Sequence, residues 1–134
     1  MRERKTVLVV EDHPPLRNFI GDILRRMGHE PVEASDGASA INRLAGCTPD
    51  LVCLALVLPE SSGYDVCEFI RRSPLHRRTP VLIMSERAYP ADRAHAAEVG
   101  ADAFIAKPFT EQDLRRRIET LLANAGPGKL AAAS

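Results

Sequence analysis

One pattern constrains this chain more than any other: five short apolar runs alternate with longer amphipathic stretches. Val7-Leu8-Val9-Val10 is rich in β-branched residues with no polar interruption, as expected of a strand buried on both faces. Pro14 and Pro15 follow, then Leu16, Phe19, Ile20, Ile23, Leu24 and Met27 at helical spacing, with Gly28 just past the end. Glu30 to Ala34 reads as a second strand. Ser35-Asp36 caps a helix that carries Ala38, Ile41 and Leu44. The run Leu51 to Leu58 holds a third strand and its turn, and Gly63 opens a helix with Val66, Phe69 and Ile70. Val81 to Met84 is a fourth strand, Ala91 to Val99 a helix ended by Gly100, and Ala103 to Ala106 a fifth strand. Thr110 caps the last helix, whose inner face holds Leu114, Ile118, Leu121 and Leu122.

Five strand-helix units in succession predict a parallel sheet covered by helices on both faces. The expected fold class is α/β, a single doubly wound five-stranded parallel sheet of order 2-1-3-4-5. A length of 134 residues suits one domain with one core, here residues 1–123. Residues 124–134 are Ala/Gly-rich and lack an apolar face, so they read as a disordered tail. Lys129 to Ala133 is also similar to a cloning remnant, in which case the natural protein could run on.

Eighteen basic and eighteen acidic residues leave no net pull toward nucleic acid or an anionic membrane. No stretch is long enough to span a bilayer, and the charged start followed by a short apolar run does not make a secretory signal. Cys47, Cys53 and Cys67 are odd in number and lack metal-finger spacing. They read as reduced, mostly buried thiols of a cytoplasmic protein. His13, His29, His76 and His95 lack metal spacing too and read as solvated or helix-end residues. The pairs Arg25-Arg26, Arg71-Arg72 and Arg77-Arg78, with Arg115-Arg116-Arg117, read as solvated helix faces, several near C-terminal ends where cations favour the helix dipole.

In a doubly wound sheet, ligands sit outside the C-terminal ends of the strands, where the strand order reverses. The first strand delivers Glu11 and Asp12 there, the third Ala55, the fourth Ser85 followed by Glu86, and the fifth is followed by Lys107-Pro108. Paired acids bind Mg²⁺ through oxygen. A lysine ammonium and a serine hydroxyl suit phosphoryl oxygens. The central position is Ala55, whose methyl group neither attacks phosphorus nor ligates a metal. Taken singly, these residues have plainer roles: Glu11 and Asp12 favour the dipole of the next helix, Ser85 ends a strand and Lys107-Pro108 makes a turn.

At these residues the chain resembles the receiver domains of two-component response regulators. The resemblance covers roughly residues 5 to 123. Its motifs are Val7 to Pro14, Pro49-Asp50-Leu51-Val52, Leu58-Pro59-Glu60-Ser61-Ser62-Gly63, Ser85, and Phe104-Ile105-Ala106-Lys107-Pro108-Phe109. It implies that Glu11 and Asp12 hold the metal positions, Ser85 and Lys107 the phosphate-sensing positions, and Phe104 that of the switch aromatic, with plain core as the other reading of Phe104. It puts the phosphoacceptor at Ala55, so no catalytic residue is assigned. With one ligand missing and the pocket charge reduced from −2 to −1, Mg²⁺ is expected to bind weakly or not at all. Glu86 stands where this family keeps a small residue, and its carboxylate would repel a phosphoryl group unless it points to solvent.

Three readings follow. The first is a pseudo-receiver, not an enzyme, that signals through protein–protein contact on the face of the fourth helix, fifth strand and fifth helix, including Arg93, Phe104 and Arg115 to Arg117. It makes no direct contact with nucleic acid or membrane. The second is an ordinary phosphoaccepting receiver whose aspartate was exchanged for alanine at position 55. The third is a flavodoxin-like enzyme or ligand-binding domain using the same crevice; it is disfavoured because Glu11-Asp12-His13-Pro14 offers no phosphate-cradling glycines.

Overall fold

The structure, a computed structural model, describes residues 3–124. Its elements follow one another as strand and helix. They are β1 (Thr6–Val10), α1 (Pro14–Arg26), β2 (Glu30–Ala34), α2 (Gly37–Gly46), β3 (Leu51–Ala55), β4 (Val57–Leu58), β5 (Ser61–Ser62), α3 (Gly63–Arg72), β6 (Val81–Ser85), α4 (Pro90–Glu98), β7 (Ala103–Ala106) and α5 (Glu111–Asn124). The main sheet is parallel, in the order β2-β1-β3-β6-β7. With the short antiparallel β4–β5 hairpin set aside, this is the expected 2-1-3-4-5 order.

The three inner strands explain the apolar runs. Every residue of β3 and β6 is buried, and so are Val7 to Val10 of β1. Helices cover both faces, so there is no polar side for alternation to mark. Each buried Val, Leu or Ile contributes about 1.5–3 kcal/mol relative to exposure. β1 pairs with β2 on one side and β3 on the other, which sets the crevice of strand reversal at the ends of β1 and β3.

The helix ends are built as the sequence suggests, with one refinement. Asp36 alone caps α2: it accepts from Ser39 N–H at 2.7 Å, while Ser39 Oγ receives the Asp36 N–H, closing a capping box. The helix therefore starts at Gly37 and buries Gly37, Ala40 and Leu44; of the apolar residues named from the sequence, Ala38 and Ile41 are exposed. Thr110 Oγ1 accepts from Asp113 N–H, as an N-cap should. Leu114 and Ile118 of α5 are fully buried, and Leu121 and Leu122 pack partly buried beside them. Asn124 is the last residue of α5 rather than the first of a tail; the rest of the expected tail, residues 125–134, lies outside the described residues.

Two histidines depart from the solvated expectation. His29 is buried, and its Nδ1 accepts from Lys5 N–H. His76 is buried under the loop after α3, and its Nε2 donates to the Leu44 carbonyl at 2.8 Å. Arg71 also leaves the solvated group. Its guanidinium and Nε donate to the carbonyls of Gly100, Arg77 and Thr79 and to Asp102 Oδ2, whose same oxygen accepts Val81 N–H. Five donors in a fixed fork let one side chain tie the entries of β6 and β7 together.

The thiols are free. Cys53 and Cys67 are buried, and burial pushes the Cys53 thiol up to about 12 and raises that of Cys67. Cys47 is half-buried, with its thiol raised for the same reason.

Gly63 is where β3 and α3 approach most closely. A Cβ there would lie 2.4 Å from the Ala55 carbonyl oxygen, a backbone atom in a fully buried strand. Gly63 N–H also donates to the Leu56 carbonyl at 2.7 Å, so the helix start cannot back away without losing that bond. Gly63→Ala is expected to destabilise the protein by about 1–3 kcal/mol through overpacking, read as a lower midpoint in urea unfolding at an unchanged slope.

Candidate functional site

The strand ends bring most of the expected residues to one edge of the sheet. Glu11 follows β1 directly, and its N–H donates to the Ala34 carbonyl at the end of β2. Its backbone carbonyl accepts from the Arg17 guanidinium at 2.8 Å, and Arg17 Nε in turn reaches Glu33. The residue is 1% exposed. A carboxylate so buried needs partners for both oxygens, and it has them: Oε1 receives Lys107 Nζ at 2.7 Å, and Oε2 receives His13 N–H at 3.1 Å.

Lys107 arrives from the far end of the chain. Its N–H donates to the Ser85 carbonyl at 2.9 Å, continuing the β6–β7 pairing one residue past Ala106. Its side chain is 16% exposed and turns back across the crevice to Glu11, so the ion pair joins residues 96 apart in sequence. Asp12, by contrast, is exposed. The two acids adjacent in sequence therefore lie in different surroundings: one is buried and paired, the other solvated.

Ser85 closes β6 and is buried. Its Oγ accepts from Arg87 N–H at 2.9 Å, so the hydroxyl serves the turn that leads to α4. Glu86 is exposed. Ala55 closes β3 in register with Met84 and is 1% exposed; the next N–H, of Leu56, donates to the Met84 carbonyl. At the centre of the crevice end there is thus a buried methyl group.

Phe104 lies on β7 and is 8% exposed. The Arg93 guanidinium stands 4.8 Å from its ring centroid, within cation–π range. Arg117 donates to the Phe104 backbone carbonyl. One aromatic residue is therefore held by an arginine from α4 on its ring and an arginine from α5 on its carbonyl. Among the other grouped arginines on α1 and α5, Arg25 pairs with Asp22 and Glu33, while Arg26 and Arg115 share Glu111.

Sequence reasoning missed the Glu11–Lys107 contact itself, because nothing local to either residue reveals the other. It also missed the tie of Arg17 to the Glu11 carbonyl. The only signal for Arg17 was its place on the first turns of α1, facing the strand ends.

A doubly wound parallel sheet with two acids after the first strand, a hydroxyl after the fourth long strand and a lysine after the fifth defines a class of α/β signalling domain. Residues 7–119 match the family described as "Response regulator receiver domain", and the chain belongs to that family. It is 37% identical over 123 residues to the phosphate regulon transcriptional regulatory protein PhoB of Escherichia coli K12, covering 92% of this chain and 54% of PhoB. The chain spans about half the length of the curated relatives it matches in this group. A putative response regulator from Chloroflexus aurantiacus superposes with a TM-score of 0.86 at 29% identity, over 90% of this chain and 99% of the other. The receiver domain of sensor histidine kinase PA1611 from Pseudomonas aeruginosa, with a magnesium ion in its active site cleft, superposes at 0.82 with 26% identity, over 90% of this chain and 99% of that one. The chain is thus a receiver domain of the two-component response regulator type. No helix among the described residues is long and apolar enough to cross a membrane.

Lys107→Ala would leave the Glu11 carboxylate buried without its cation. Breaking a buried pair from one side costs about 3–5 kcal/mol, whereas removing both charges together costs much less. The expected result in urea unfolding is a loss of about 3 kcal/mol for Lys107→Ala, most of it recovered in Lys107→Met combined with Glu11→Gln.

Proposed function

We propose that this chain is a pseudo-receiver: a signalling module that works through protein–protein contact and takes no phosphoryl group at residue 55. The observation that carries this reading is the buried Ala55 methyl at the end of β3, in the position that the family resemblance gives to the acceptor aspartate. A methyl group has no lone pair to attack phosphorus. The second support is the Lys107 ammonium. It is committed to Glu11 at 2.7 Å rather than left to meet an incoming phosphoryl oxygen.

The donor set also fits Mg²⁺ poorly. Mg²⁺ takes about six oxygen ligands in near-octahedral array and usually keeps several waters. Both oxygens of Glu11 are engaged, one by an ammonium and one by a backbone N–H, and Ala55 offers none. Asp12 alone is an uncommitted carboxylate of the pocket, exposed to water. No cofactor is therefore assigned, and no step is derived through a metal.

For the contact surface, the reading favours the face of α4, β7 and α5. Phe104 is pinned there in one arrangement by Arg93 and Arg117, so that face would be the same at all times rather than switched. Its partner would be another protein of a signalling pathway, with neither nucleic acid nor membrane contacted directly. A cytoplasmic location suits the free thiols.

Incubation with a small acyl-phosphate donor and Mg²⁺ tests the reading. The chain with Ala55 is expected to take up no hydroxylamine-labile phosphoryl group, whereas Ala55→Asp takes one up at residue 55. Such a group on the Ala55 chain would contradict the proposal.

A further inference from the structure

The two ends of α3 carry surfaces of opposite character. At its C-terminal end, the loop to β6 raises Leu75 to 76% exposure, and Arg72, Arg77 and Arg78 stand exposed around it. No acid lies between Arg71 and Arg78 in sequence. This loop is not a slack one. Ser73 O accepts from the N–H groups of His76 and Arg77, and Thr79 N–H donates to His76 O. Arg71 holds the carbonyls of Arg77 and Thr79 from below, and the buried His76 anchors the loop to Leu44 of α2. The exposed leucine is therefore presented on a braced turn, a form of preorganisation that lowers the entropic cost of docking.

At the N-terminal end of α3, a groove of about 420 Å³ opens between α2, the β4–β5 hairpin and α3. Ile41, Pro59 and Val66 contribute apolar surface to its lining, and Asp36, Glu60 and Asp65 contribute carboxylates. Ile41, one of the apolar residues that the sequence places on α2, stands exposed. The knob thus offers one leucine with three cations, and the groove offers an apolar floor with three anions.

We propose that the knob of one copy of this chain docks into the groove of a second copy, head to tail. Charge complementarity singles out this occupant: the groove meets its opposite in sign and shape on the chain itself. Knob and groove lie at opposite ends of a ten-residue helix, about 15 Å apart along its axis, so a chain cannot fill its own groove. The contact is heterologous, so each added copy leaves one free knob and one free groove, and association continues unless the rotation between copies closes a ring. It is separate from the face of α4, β7 and α5. It is also salt-sensitive, because the arginines and acids sit at the surface.

Sedimentation velocity over a concentration series tests this. At low salt the weight-average mass is expected to rise above the 14.7 kDa of one chain, and at high salt to return to it. Leu75→Asp removes the knob, and Glu60→Lys with Asp65→Lys removes the groove; each protein alone is expected to stay monomeric at low salt. Circular dichroism checks that both are folded. Mixed in equal amounts, the two retain one complementary knob and groove between them and are expected to form a complex of two chains and no larger. A monomeric native chain at every concentration, or a mixture that stays monomeric, overturns the proposal. So does self-association that survives Leu75→Asp but is lost in Arg93→Ala, since it would place the contact on α4. Capture of duplex DNA or an acidic peptide by Arg72, Arg77 and Arg78, with the native chain still monomeric, overturns it as well.

Discussion

The ion pair between Glu11 and Lys107 is the interaction on which the site depends. It closes the crevice at the C-terminal edge of the sheet by joining the end of β1 to the end of β7, across the width of β3 and β6. Its strength comes from burial and its cost comes from burial too. Taking a carboxylate and an ammonium out of water is expensive, and the pair holds because each carboxylate oxygen of Glu11 has a donor. Residue 55 is an alanine and offers the lysine no competing carboxylate. With only a methyl group at the centre, the lysine's nearest strong anion is Glu11, and Glu11's nearest cation is the lysine.

That pairing has consequences outward through the fold. Lys107 is fixed at its backbone by Ser85 and at its side chain by Glu11, so the β7–α5 connection is tied down from two directions. Ser85 in turn spends its hydroxyl on the turn into α4. Beyond that turn, Arg93 of α4 and Arg117 of α5 hold Phe104 between them. A continuous set of hydrogen bonds and contacts therefore runs from the crevice to the α4–β7–α5 face, and each link is already satisfied. On the proposed reading, such a chain of contacts gives a permanent surface and leaves nothing for a phosphoryl group to rearrange.

Much of this was legible before the structure. Val7 to Val10, Leu51 to Ala55 and Val81 to Met84 declared themselves as central strands, because only a sheet covered on both faces tolerates runs without polar residues. Glu11, Ala55, Ser85 and Lys107 were placed at one edge by strand order alone. What stayed hidden depends on long-range partners. Ile41 fits a helical apolar pattern with Leu44, yet in α2, which starts at Gly37 behind the Asp36 capping box, Ala40 is buried beside Leu44 and Ile41 is exposed. His76 and Arg71 look like surface residues, and only the approach of α2 and of the β6 and β7 entries supplies the carbonyls that engage them. The choice of Glu11 as partner for Lys107 is of the same kind, set by 96 residues of intervening chain.

On the proposed reading, a pocket in which Lys107 neutralises Glu11 has little left to offer a divalent cation. The most direct test is a Mg²⁺ titration of the native chain, followed by amide NMR shifts of Glu11, Asp12, Ala55 and Lys107. The account predicts small, unsaturated shifts confined to the exposed Asp12 and unaltered by Lys107→Arg. Saturable shifts across all four residues, with an affinity equal to that of receivers that retain the third carboxylate, would contradict it.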